Sequence, residues 1–362
     1  MATLFLSSAA LRHNYRFLRE RAGVPLIPVL KADAYGHGAD AVLSTLQEEG
    51  VPLYALASER ELFLLLSSKK AKNSLQKHGF PSFLLLGLCE KTALARLVSL
   101  PVHLSVHSLS YALLLEEEMR RLFPQSALSV HLKLETGMHR LGLTESEAKA
   151  VLALPHLRVT GLYSHFAEAA TDAARTLSQT AAFTSLSETL APSNALRHLS
   201  AGAALLRYGA LGMDAARVGL PLYGVSPVGA KEPALLPVMR LCARVLSVKR
   251  IRTGEGIGYG ALRAARPMRV AVLDVGYADG LPPSASVQGA RVWVKGQLCP
   301  LVGEVCMDRA FVEVGDLPLA EGEEITVFGR GAGDAERFAL EAAVSPYVLL
   351  ALRSARTERI LR

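Results

Sequence analysis

The chain has 362 residues, enough for two domains or one large barrel with an appended module, which excludes a peptide-sized or disulfide-stapled scaffold. Half of the residues are hydrophobic and 20% are charged, with no like-charge block or Ser/Gly/Pro tract, so long disorder is excluded as well. The 40 basic and 33 acidic side chains leave a formal charge of +7, not focused into a Lys/Arg run with interleaved aromatics, so no nucleic-acid partner is expected and a small anionic ligand stays open.

The start, Met1 to Ser8, has a short apolar run without a basic segment before it and leads into an amphipathic stretch, which argues against a signal peptide. Short apolar runs bounded by turn signals then recur at Pro25 to Leu30, Leu53 to Ala57, Ser82 to Leu86, Val102 to Val106, Leu128 to Leu134, Leu157 to Tyr163, Arg197 to Ser200 and Leu220 to Val225. Helical periodicity fills most of the gaps, as at Ala39 to Gly50, Ser58 to Ser68, Thr92 to Val98 and Thr144 to Ala153. Strands alternating with helices predict an α/β domain over residues 1–232, a (β/α)8 barrel or, from periodicity alone, a doubly wound open sheet. The first few residues are free to pair with the second domain.

After Pro237 the texture changes to strands separated by Gly-containing turns: Val238 to Arg250, Arg269 to Tyr277, Arg291 to Val294, Leu298 to Val305, Ala310 to Val314 and Glu324 to Phe328. Residues 233–362 therefore read as a mostly β C-terminal domain. Asp334 is a candidate N-cap for one helix through Ala343. Arg353, Arg356, Arg359 and Arg362 are three apart and read as a solvated helical face or as part of a partner surface. No stretch reaches the ~18 consecutive apolar residues of a membrane span. Cys89, Cys242, Cys299 and Cys306 form no C-x-x-C pair and have no histidine at zinc-like spacing, so they read as free thiols of a cytoplasmic protein with no metal site. His198 is the last histidine, so a general base from the second domain must be Tyr, Lys, Cys or a carboxylate.

Chemistry concentrates first in Val29 to Gly38, where Lys31 ends an apolar run and a Gly-rich turn follows. A lysine at the C-terminal end of a barrel strand sits at the active-site face, and a desolvated amine there can lose its proton and attack an aldehyde. A lysine snorkelling from a strand end to solvent is the competing reading.

The segment Lys31-Ala32-Asp33-Ala34-Tyr35-Gly36-His37-Gly38 resembles the pyridoxal-phosphate attachment motif of alanine racemases. His131 to Gly142, Ser164 to Ala167 and Asp214 to Gly224 are similar to further segments of that family, as are Gly258 to Ala261, Gly276 to Gly280 and Val302 to Asp308, all in the family's order. The resemblance runs end to end. It implies an N-terminal barrel, a β C-terminal domain, a homodimer with shared active sites, pyridoxal 5'-phosphate as cofactor, and interconversion of L- and D-alanine by two bases, supplying D-alanine for peptidoglycan.

By this resemblance Lys31 carries the cofactor and serves the D-isomer, while Tyr259 from the other subunit serves the L-isomer. Arg217 faces the ring nitrogen; it can only donate, so that nitrogen stays an unprotonated acceptor and proton removal is favoured over transamination. His165 lies beside the ring, and Tyr35, Gly202 and the amides of Gly219 and Leu220 face the phosphate. Arg140, Met307, Asp308 and Tyr277 belong to the substrate side. Lys133 resembles a lysine that many members carry as a carbamate, whose negative charge orients Arg140.

The chain departs from the family in three ways. Ala201-Gly202 replaces the usual Asn-Ser pair and deletes a hydroxyl donor unless Ser200 or an extra amide compensates, Pro28 interrupts the first barrel strand, and Ala355 stands where a substrate-side tyrosine is expected. Other readings remain: a racemase of serine or another small amino acid, a decarboxylase of basic amino acids on the same barrel, and a non-catalytic cofactor-binding protein. A dinucleotide site at Gly256-x-Gly258-x-x-Ala261 is rejected, because no helix with a suitable acid follows it.

Overall fold

A computed structural model describes residues 2–190, 192, 194–228, 232–260, 262–352 and 356–362. Position 355, and with it the expectation for Ala355, lies outside the described residues, as do Arg353 and Ala261.

The first strand, β1 (Thr3–Leu6), does not join the strands that follow it. The next eight are β2 (Leu26–Pro28), β3 (Leu53–Leu56), β4 (Ser82–Leu85), β5 (Val102–Val106), β6 (Leu128–Lys133), β7 (Leu157–Tyr163), β8 (Leu196–His198) and β9 (Ala216–Val218). Strands β3 to β8 pair in chain order, all parallel, and β2 pairs with β9. Single parallel bridges, Val29 to Ala55 and Ala201 to Arg217, close the ring into the (β/α)8 barrel. Pro28 explains why the closure at β3 is so short. Val29 donates to Val218 and Leu30 to Ala55, so strand alternation puts the missing donor of Pro28 on the β3 side.

Capping fixes where the intervening helices begin. Ser58 accepts from the Glu61 amide ahead of the helix Glu59–Ser67, and Thr144 with Glu147 forms a reciprocal capping box ahead of Glu145–Leu152. The last barrel strand differs from the sequence expectation. Leu220–Tyr223 is a 3-10 turn, and the strand is the earlier Ala216–Val218. Pro221 lacks the amide that a strand needs, and Gly224 closes the turn at φ 83°.

The C-terminal domain contains β10 (Met239–Ile251), β11 (Met268–Leu273), β12 (Arg291–Val294), β13 (Gln297–Val302), β14 (Ala310–Glu313) and β15 (Glu324–Phe328). These pair antiparallel in the order β11-β14-β13-β12-β15-β10, and a further β10–β11 pairing closes an all-antiparallel barrel. The long β10 serves both sides through irregularities in its pairing, between Val245 and Ser247 toward β11 and between Leu241 and Cys242 toward β15. β1 adds to β10, and the final strand β16 (Glu358–Leu361) runs parallel to β1. The terminal arginines therefore do not form a helical face: Arg356 and Arg359 make ion pairs, and Arg362 stacks on Phe5 at 3.9 Å. The helix starting at Asp334 ends at Glu341 with Gly333 in the cap position, and Asp334 accepts from Trp293 and from the Arg330 amide.

Candidate active site

β2 ends at Pro28, and three residues later Lys31 opens a turn in which Ala32, Asp33, Ala34 and Tyr35 have φ of 52°, 53°, 54° and 53°. Four successive left-handed L-residues cost roughly 1–2 kcal/mol each, so the surroundings must hold them. Glu61 does so by accepting from the amides of Ala32 (2.7 Å) and Ala57 (2.8 Å). Asp33 accepts from the Ala39 amide at 2.8 Å and pairs with Arg359 at 2.7 Å. The turn brings the Tyr35 ring to 5.9 Å from Lys31 Nζ. Burial lowers the Lys31 amine below its usual range; Arg140 and Arg217 lower it further, with Glu61 opposing.

Lys31 lines a cavity of about 490 Å3 at the C-terminal ends of the barrel strands, together with Tyr35, Lys133, Arg140, His165 and Arg217. Four cationic side chains face it, and no carboxylate is among the described residues that line it. That arrangement selects for an anion.

The barrel interior beneath is unusually polar: His131, Ser105, Tyr163, His198 and Arg217 are all buried. Arg217 Nη1 donates to His198 Nδ1 and to the His198 carbonyl, both at 2.6 Å. Its Nη2 donates to the carbonyls of Ser164 (2.6 Å) and Leu199 (3.2 Å) and lies 3.4 Å from His165 Nδ1. An arginine has five N–H donors. The remaining one, Nε–H, finds no acceptor among the described residues, so this buried guanidinium has one directional donor for a ligand. Burial lowers Arg217 only to about 10, so it stays a cation, while burial and then Arg217 push His165 down to about 3, so it stays neutral.

Lys133 ends β6, and Glu135 organises the loop that carries Arg140 by accepting from the amides of Gly137, Met138 and His139 at 2.6, 2.9 and 3.2 Å. Burial first, and then Arg140 and Arg217, bring the Lys133 amine down to about 8. A neutral amine among cations is the state that reacts with carbon dioxide.

At another edge of the cavity Gly219 abuts Tyr35, where an added Cβ would sit 2.5 Å from the phenol oxygen. Gly202 and Leu220 line the same cavity beside Gly219. Ser200 does not make up for the lost Asn-Ser pair, because its hydroxyl donates to the Gly209 carbonyl at 2.6 Å. A tyrosine of the C-terminal segment does reach the cavity, contrary to expectation: Tyr347 lies with its ring 6.2 Å from that of Tyr35. Sequence reasoning missed Tyr347, Glu61, Tyr163 and His198 as site residues; only His198 stood out, as the last histidine of the chain.

Tyr259, Tyr277, Met307 and Asp308 do not line this cavity. They gather instead on the C-terminal domain, where the amides of Tyr277 and Ala278 donate to the carbonyls of Cys306 and Met307. Tyr259 is 72% exposed and Met307 54% exposed, so a single chain leaves this group facing solvent. Arg356 fixes its base by pairing with Asp279 (2.8 Å) and Asp308 (2.6 Å).

Two family models match the chain, the alanine racemase N-terminal domain over residues 6–227 and the alanine racemase C-terminal domain over residues 238–361. An alanine racemase of Pseudomonas entomophila (strain L48) is 35% identical over 356 residues, covering 96% of this chain and 95% of the relative. The crystal structure of a biosynthetic alanine racemase from Pseudomonas aeruginosa superposes with a TM-score of 0.85 at 30% identity, covering 100% of this chain and 99% of that one. An alanine racemase from Bartonella henselae, described with covalently bound pyridoxal phosphate, superposes at 0.87 with 24% identity, covering 100% of this chain and 99% of that one. With both halves of the chain matched and the relatives covered nearly end to end, the chain belongs to the alanine racemase family.

Proposed function

We propose that this protein interconverts L- and D-alanine with pyridoxal 5'-phosphate as cofactor, supplying D-alanine for peptidoglycan. One observation carries the reading: Lys31, its amine lowered by burial, converges on one cavity with Lys133, Arg140 and the buried Arg217, which keeps a single unmatched donor, and no carboxylate lines that cavity among the described residues. These groups fit a cofactor that has an aldehyde, a ring nitrogen and a phosphate.

Lys31 Nζ would hold the aldehyde, Arg217 Nε would donate to the ring nitrogen, and His165 would pack beside the ring. Tyr35, Tyr347 and the backbone at Gly202, Gly219 and Leu220 would hold the phosphate. When bound, the cofactor would supply an electron sink that makes the Cα proton of an amino acid acidic.

The protein then decides where that proton goes. Lys31 Nζ exchanges it with the D-isomer, and Tyr259 Oη of the partner subunit exchanges it with the L-isomer. Arg217, which stays charged, would leave the ring nitrogen an unprotonated acceptor, which favours simple removal and return of the proton. Arg140, Met307 and Asp308 position the substrate carboxylate and the cofactor's phenolic oxygen, and Tyr277 lines the entrance. Lys133, as a carbamate, orients Arg140. The exposure of Tyr259 and Met307 supports a homodimer whose two sites are completed across the interface, and the four free cysteines fit a cytoplasmic protein. The division of labour follows a boundary at 232/233, with the cofactor held by the first part except for Tyr347, and the second base on the other.

The test is turnover of each alanine enantiomer by purified protein supplied with pyridoxal phosphate, followed by polarimetry. Equal final amounts from either side are expected, and absence of racemisation in protein that shows bound-cofactor absorbance contradicts the reading.

A further inference from the structure

The histidine that meets Arg217 is itself held by a second one. His198 Nε2 lies 2.9 Å from His131 Nδ1, and the Tyr163 ring stacks on His198 at 5.0 Å and 5°. His198 and His131 are both wholly buried, and neither lines the cavity.

The direction of this chain follows from donor counting. Arg217 can only donate, so His198 Nδ1 must accept. Burial holds both imidazoles neutral, with His131 lowered to about 3 and His198 well below its usual value. The proton of His198 is therefore on Nε2, and His131 Nδ1 must accept it. His131 carries its own proton on Nε2, the edge of its ring meeting His103 at 5.0 Å and 67°.

The barrel has been shaped to admit this ring. An added Cβ at Gly161 would sit 2.5 Å from His131 Nδ1. The β6–β7 register slips at that point, Val130 facing Val159 and His131 facing Gly161, so that Thr160 is the extra residue. Its hydroxyl takes up His103 Nδ1 at 2.8 Å.

We propose that His131 is a positioning residue for the reaction: by accepting from His198 Nε2, it holds the His198 ring at the angle at which Nδ1 receives Arg217, and so aims the arginine's remaining donor. With no acceptor at position 131, the His198 Nε2–H is left buried without a partner, the ring turns to find one, and Arg217 loses the acceptor that aims it. The proposal rests on Arg217 as partner of the cofactor's ring nitrogen, but the relay itself is measurable without cofactor.

The experiment compares wild type with His131→Leu, His131→Asn and Gly161→Ala. Nitrogen-15 spectra of histidine-labelled apoprotein report the His198 tautomer; visible absorbance of the loaded enzyme, kcat and KM report the site. Wild type should show His198 protonated on Nε2. His131→Leu and Gly161→Ala should keep the proton on Nε2 but move its nitrogen-15 signal to that of a donor without an acceptor, shift the absorbance of the bound cofactor, and lower kcat about 10- to 100-fold, the scale of one lost hydrogen bond to a charged group, with little change in KM. His131→Asn has an amide oxygen near the Nδ1 position and should restore the Nε2 signal, absorbance and most of kcat. A wild-type His198 protonated on Nδ1 overturns the proposal without any variant. So does an asparagine variant no better than leucine. A moved Nε2 signal with unmoved absorbance and kcat also overturns it, and locates the failure in the placement of Arg217 rather than in the histidine pair. Turnover of alanine by the wild type tests the underlying activity separately.

Discussion

Arg359 Nη1 lies 2.7 Å from Asp33 Oδ2, joining the last strand of the chain to the left-handed turn that follows Lys31. The pair is partly exposed and is worth about 0–1 kcal/mol. Asp33 has a second task, accepting from the Ala39 amide at the start of the next helix, a contact of about 1 kcal/mol. Asp33→Ala should therefore lower Tm by more than Arg359→Ala, at no more than about 2–4 °C for each kcal/mol, the scale of somewhat smaller domains. Scanning calorimetry on both variants checks this; the larger loss at Arg359 would mean that the turn is held chiefly from the C-terminal strand.

Cofactor retention should respond to position 202. An added Cβ at Gly202 meets nothing closer than Pro221 Cδ at 3.6 Å, so a serine fits, and Ser200 is already committed to Gly209. Gly202→Ser should slow release of pyridoxal phosphate about 10-fold or more, the scale of one hydrogen bond to a charged group. Gly219→Ala should speed it, because the new methyl displaces the Tyr35 hydroxyl. Loss of visible absorbance during dialysis measures both, and an unchanged rate in the serine variant would show that Tyr347 already satisfies the phosphate.

Carbamylation of Lys133 should follow its free amine. The neutral fraction grows as pH rises through about 8, so uptake of labelled bicarbonate should be greater at pH 9 than at pH 7. Carbon-13 spectra resolve the carbamate, and Lys133→Gln should remove the signal. A signal of equal size at the two pH values would refute control by this amine's ionisation.

The barrel's first seven strands and most of the second domain's were readable from apolar runs between turn residues, because a strand buried on both faces needs little else. The eighth was misplaced because Leu220 to Val225 is equally apolar but contains Pro221, whereas the true strand Ala216–Val218 carries a buried arginine. The terminal arginines repeat every third residue, yet Arg359 lies within β16 and Arg356 and Arg362 flank it, since pairing with β1 overrides a weak helical period. Residues with their own chemistry, Lys31, Arg140 and Arg217, were legible through motifs. Glu61 and Tyr347 were not: one holds backbone amides, the other arrives from a distant helix, and neither has a local pattern that announces it.

Shared active sites have a subunit-mixing consequence. Lys31→Ala should lose the visible absorbance of covalently held cofactor, and Tyr259→Phe should keep it while losing racemisation. Mixing the two inactive proteins should recover activity, because one site of the hybrid has both Lys31 and Tyr259. No recovery, with subunit exchange demonstrated by mass, would count against sites completed across the interface.

The central claim is that two bases, one from each subunit, serve opposite faces of the substrate. It is tested most directly by α-hydrogen exchange in deuterated water, starting separately from pure L- and pure D-alanine with wild type and Tyr259→Phe. The account expects the tyrosine variant to lose exchange from L-alanine while D-alanine still exchanges through Lys31, with the overall equilibrium constant unchanged at unity because the products are mirror images. Equal slowing from both enantiomers, with the cofactor still bound, would contradict it.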